Sequence, residues 1–96
     1  MKEEQFAAYL ESLDSITSKD KAVSSRMSKA RKIERDLKVN IDSIVNDDLT
    51  TYQTLLRIKN EFRDANGAIQ NVLRKYYAFV HNKEFPSLAV CKKRFG

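Results

Sequence analysis

One cysteine, one proline, one histidine, two glycines and no tryptophan occur among 96 residues, and each shortage removes a class of protein. A single thiol, Cys91, cannot close an internal disulfide, so nothing asks for an oxidising compartment. His81 and Cys91 together fall short of the nitrogen and sulfur ligands of a usual zinc site. No apolar run approaches the roughly 20 residues that span a bilayer, and "MKEEQFAAYLESLD" has no signal-peptide core. The cytoplasm is the expected location. Phosphate-binding loops, dinucleotide fingerprints and nucleophile elbows are missing. The adjacent carboxylates Glu3/Glu4 and Asp47/Asp48 point apart on a helix or cap, and His81 suits a helix C-terminus better than catalysis. The expectation is a protein that is not an enzyme, with no metal, no cofactor and no small-molecule substrate.

With so little glycine and proline, and apolar residues recurring at three and four, the pattern predicts an all-α fold. A first helix covers about 3–14, with Phe6, Leu10 and Leu13 on one face and Tyr9 beside them; "SITSKDK" ends it. A second covers about 20–38, where Val23, Met27, Ala30, Ile33 and Leu37 share one stripe. Asn40, Asp42 and Asp47 are short acceptors suited to free helix-start amides. They predict one helical turn and then a new N-cap, with Ile41, Ile44 and Val45 plugging the core. The helix over about 48–62 is apolar around half its circumference (Leu49, Tyr52, Leu55, Leu56, Ile58, Phe62), which predicts a central, well-covered position. "RDANG" precedes a last long helix, about 66–82, anchored by Ile69, Val72, Leu73, Tyr76, Phe79 and Val80. Residues 1–84 then form one bundle of four to five helices, and 85–96, with Pro86, form an extended tail or linker stub.

What the chain has in abundance is positive charge: 18 Lys and Arg against 13 Asp and Glu, a net +5. The excess is uneven, at −3 for 1–20, +5 for 21–38, −2 for 39–64 and +5 for 65–96. A basic balance suggests a polyanionic partner, nucleic acid first. Projected at 100° per residue, the second helix gathers Ser24, Ser28, Arg31, Lys32 and Arg35 in one polar sector and leaves Glu34 and Asp36 outside it. The last helix sets Gln70, Asn71, Arg74 and Lys75 opposite its stripe. Guanidinium and amide groups can reach phosphates or base edges, and Gly67 lets free N–H groups approach a phosphate, unless it is a simple break between helices. Both sectors also read as ordinary solvated faces. Tyr76 reads as core, and Tyr77 as either core cap or partner contact.

"FAAYLESL", the basic "SSRMSKARKIERDL", the short "IDSI" and the closing "NGAIQNVLRKYYAFV" follow one another over about residues 4–82. In order and spacing they resemble the N-terminal, SAM-like core-binding domain of phage integrases and other tyrosine recombinases, whose Leu-Arg-x-Tyr-x-x-Phe ending "LRKYYAFV" is similar to. The resemblance implies a small orthogonal bundle clamping one face of duplex DNA, with the second and last long helices offered to the major groove and flanking phosphates. It implies a fused or separate catalytic domain as partner, since no counterpart of that domain follows here, and no tyrosine here is expected to act as nucleophile. The chain departs from the pattern at "DANG", where relatives carry Ser or Thr, and Asp64 would repel a phosphate there. The rival expectation is a small phage- or mobile-element-derived regulator or inhibitor that grips an acidic protein surface with Tyr77, Phe85 and Phe95 as anchors. A membrane-surface helix has less support, because the second helix's stripe lacks bulky aromatics and is needed for the core.

Overall fold

The five-residue stripe of the second helix does what its spacing predicts: Val23, Met27, Ala30, Ile33 and Leu37 are all buried. Each of the four larger side chains contributes about 1.5–3 kcal/mol on leaving water. The computed structural model describes the chain except for residues 14–18, 65 and 96 and the side chains of Lys19 and Asp20. The predicted "SITSKDK" break falls largely outside the described residues. Six helices follow in order, α1 (Glu3–Glu11), α2 (Lys19–Leu37), α3 (Ile41–Val45), α4 (Asp48–Glu61), α5 (Ala68–His81) and α6 (Leu88–Phe95), with no strand among the described residues. The fold is all-α.

α2 and α5 pack along each other, and α1 lies against both. α3 and α4 pair and rest on α5, and α6 rests on α4. The centre is aromatic: the Phe6 ring meets the Tyr76 ring edge-on at 4.8 Å and the Phe79 ring at 5.6 Å, and Tyr9 closes the cluster against Phe79 at 5.5 Å. Ile41, Ile44 and Val45 plug the core from α3. Local chemistry sets the short connections. The Asn40 carboxamide accepts the Asp42 amide at 2.9 Å to start α3, and the Asp47 carboxylate accepts the Thr50 amide at 2.9 Å to start α4. The Thr50 hydroxyl, which donates to the same carboxylate at 2.7 Å, and then the Thr50 amide hold the Asp47 carboxyl below the usual carboxylate range.

Three expectations change. α4 is not central: it meets α3, α5 and α6, and Leu49 is 40 % exposed while Tyr52, Leu56 and Phe62 are half-buried. A half-circumference of apolar residues is also what a helix carries when one edge faces a short neighbour. Val80 stands at 38 % exposure, past the edge of the α5 stripe, whereas Tyr77 takes the buried place. Finally, the described part of the last segment, 85–95, is not an extended tail. Pro86 ends the preceding segment, the Ser87 hydroxyl accepts the Val90 amide at 3.3 Å, and α6 winds from there. Phe85 and Cys91 are buried and Phe95 stacks on Tyr52 at 5.9 Å, so this segment belongs to the bundle.

Candidate nucleic-acid interface

Seven basic and two acidic residues lie between positions 21 and 38. The apolar stripe of α2 faces inward, so its charges must face water. Lys21, Ser24, Ser25, Ser28, Arg31, Arg35 and Asp36 are the exposed side chains of the helix, and Lys29 and Lys32 are half-buried beside them. Ser24 and Ser28 line a shallow cavity with Lys21, Ser25 and Lys29, and the Lys29 ammonium donates to the Ser25 hydroxyl at 2.6 Å.

The helical projection misplaces one of the two acids. Asp36 reaches into the basic sector, where one carboxylate oxygen accepts from Lys32 Nζ and the other from Arg35 Nε, each at 2.9 Å. The Lys32 bond first and the Arg35 bond second hold the Asp36 carboxyl below its ordinary range. Arg31 Nε donates to Glu3 Oε1 of α1 at 2.7 Å, and Lys32 also lies 5.0 Å from the centre of the Phe62 ring. Glu34 points elsewhere: with Asp42 it meets the Met1 α-ammonium, at 3.4 and 3.2 Å, and it accepts the Ile41 amide. Tyr76 donates its hydroxyl to Asp42 and accepts the Lys2 amide at 2.9 Å. Burial, then that Asp42 bond, pushes the phenol up to about 12, so it holds its proton at neutral pH and ties α5 to α3 and to Lys2 just before α1, while the Met1 α-ammonium links the cluster to Glu34 of α2. This cluster has no local signature in the sequence.

On α5 the predicted residues meet different fates. Gly67 has φ +74, a left-handed turn with open space around it, which is the helix break rather than a phosphate cradle. The helix-start amides it was expected to free are occupied: Asp64 accepts Ile69 N at 3.1 Å and Gln70 N at 2.9 Å, and Asn66 accepts Ala68 N at 3.1 Å. Asp64 is therefore a buried capping carboxylate that itself supplies the negative charge a phosphate would otherwise bring to this helix start. Asp64→Ala leaves two amides without acceptors, and urea denaturation should show a loss of about 1–3 kcal/mol.

Gln70 donates to the Asp64 carbonyl at 3.4 Å. Arg74 is half-buried, and its Nη1 donates to the carbonyls of Phe85 and Pro86 at 3.1 and 3.0 Å while the guanidinium lies 5.8 Å from the Phe85 ring centre. It is a clamp on the segment leading to α6. Arg74→Ala should loosen α6 and expose Cys91, a thiol that burial pushes up and shields. Its labelling under native conditions is expected to quicken at least about tenfold, the equivalent of one lost charged hydrogen bond. Asn71 is exposed and Lys75 half-buried, and neither side chain has a hydrogen-bond or ion-pair partner among the described residues.

Gly67, Gln70, Asn71 and Arg74 line one cavity. Asn71, Arg74 and Lys75 line the next, of about 290 Å³, with Tyr9 of α1, with Leu13 just beyond that helix, and with Glu84 and Phe85. The α5 residues therefore share a trough, and Ser24 and Ser28 of α2 line a different cavity. Among the described residues no hydrogen bond or ion pair links the two predicted sets, and α1 contacts both helices through Glu3 on one side and Tyr9 on the other.

The anchors of the protein-binding alternative also change place. Tyr77 is 2 % exposed and donates to Asp48 at 2.8 Å, Phe85 is 5 % exposed, and Phe95 is half-buried against Tyr52. His81 bonds the Val45 carbonyl at 2.6 Å, tying α5 to α3. Among the described residues no three His, Cys, Asp or Glu side chains gather as metal ligands, and no helix is long and apolar enough to cross a membrane. A scan against protein-family models finds no match for this chain, and searches of curated proteins and of solved structures find none either.

Proposed function

We propose that this chain is a non-catalytic module that binds duplex DNA through the exposed face of α2, in the manner of an integrase core-binding domain. One observation carries the reading. Among the described side chains, every exposed residue of the 19-residue α2 is lysine, arginine or serine, with the single exception of Asp36. Such a helix, about 28 Å long, offers a row of cations and hydroxyl donors to a phosphate backbone. Arg31, Lys32 and Arg35 neutralise phosphates, Ser24 and Ser28 donate to phosphate oxygens, and Lys21 and Lys29 extend the row. Asn71 and Lys75 on α5 make a secondary contact. Arg74, Gln70 and Gly67 serve the fold first. Asp64, bonded to α5, no longer opposes this arrangement as it did in the sequence. The test is fluorescence anisotropy of a short labelled duplex at two salt concentrations, where the affinity must fall steeply as salt rises. Binding indifferent to salt, or no binding, would overturn the reading.

A further inference from the structure

The acids that touch the basic face of α2 do so in a particular way. Asp36 offers one oxygen to Lys32 and the other to Arg35, and Glu3 offers one oxygen to Arg31, all at 2.7 to 2.9 Å. A backbone phosphate, whose single negative charge is shared by two non-bridging oxygens, would make the same contacts with the same donors. Every side chain involved is open to solvent, from 32 % for Asp36 to 71 % for Arg35, so these pairs are weak and exchangeable. They are also always at hand, since a tethered carboxylate competes at a high effective concentration.

We propose that Glu3 and Asp36 are built-in phosphate surrogates: they occupy Arg31, Lys32 and Arg35 in the free protein and are displaced when the duplex binds, so they restrain its affinity. This rests on the DNA-binding reading above. Glu3 has a further consequence, because it belongs to α1, and its displacement breaks an α1–α2 link whenever DNA is bound. Asp36 stays charged at the pH of any ordinary binding assay, because its two cations hold the carboxyl low.

The experiment compares Glu3→Gln, Asp36→Asn and Glu4→Gln with the parent chain in the duplex titration. Glu4 neighbours Glu3, is exposed, and has no cation partner among the described residues, so its substitution removes the same charge without freeing a donor. Glu3→Gln and Asp36→Asn should each tighten binding about two- to fivefold, as expected for loss of one exposed pair. Together they should give about tenfold, because they free different cations. Glu4→Gln reports the long-range field alone, which salt largely screens at these distances. Equal effects of Glu3→Gln and Glu4→Gln, or no tightening in Asp36→Asn, would overturn the surrogate role while leaving DNA binding intact. Absence of duplex binding by all five proteins would overturn the DNA-binding reading itself.

Discussion

Phe6→Ala is expected to lower the stability of the chain by about 3–5 kcal/mol, the usual cost of emptying a buried aromatic site. For a domain of this size that is a fall in the unfolding midpoint on the order of 20 °C, and against a total of about 5–15 kcal/mol it removes much of the margin. The reason lies in what the ring touches. Phe6 is fully buried and meets the rings of Tyr76, Phe79 and Tyr9, so it is the point at which α1 is fastened to α5. α1 is short, and its remaining buried anchor is Leu10. Leu49→Ala is the contrast: the same chemistry at a 40 % exposed position of α4 should change stability by no more than about 0.5 kcal/mol. Thermal unfolding followed by circular dichroism reads both. A Phe6→Ala midpoint equal to the parent's would mean that α1 is not docked on the aromatic cluster.

Charge reversal on α2 has the largest expected effect on binding. If about four phosphates are neutralised, log K falls against log salt with a slope near −4. The affinity then drops on the order of 100-fold between about 50 and 200 mM salt. Arg31→Glu with Arg35→Glu removes two of those contacts and adds repulsion. The slope should flatten to about −2, and low-salt binding should weaken by at least about tenfold. Both arginines are exposed, at 57 % and 71 %, so the double variant should keep its fold, and an unchanged unfolding midpoint checks this. An unchanged slope would place the contact elsewhere on the molecule. The same two residues reversed in the Asp36→Asn background would also lose the gain expected from freeing Arg35.

Much of this molecule could be read from local pattern. The stripes of α1 and α2, the single turn of α3 and the capping roles of Asn40 and Asp47 depend on residues one to four positions apart, the distances over which side chains meet on one helix. The uneven charge was equally plain. α6 was missed because Pro86 dominates its neighbourhood, although Ser87 before it and Lys92, Lys93 and Arg94 in its last turn are the marks of a helix start and end. The candidate residues were harder. Ser24, Ser28, Arg31, Lys32 and Arg35 do share the wet side of α2, as the projection requires. Gln70 and Arg74 do not stay free, because their partners are carbonyls that only the folded chain brings near.

By itself the sequence determined which faces of α1 and α2 are buried, where most helices begin and that one of them is a basic, hydroxyl-bearing rod, since each follows from the 3.6-residue period and from side-chain chemistry near in the chain. Tertiary structure alone decided which charges remain available. Glu3 finds Arg31 across 28 positions, Tyr76 finds Asp42 across 34, and Arg74 spends its guanidinium on a segment 11 residues away. The physical reason is that an ion pair or hydrogen bond forms within about 3 Å, a distance that packing of the apolar faces sets and that no helical projection contains.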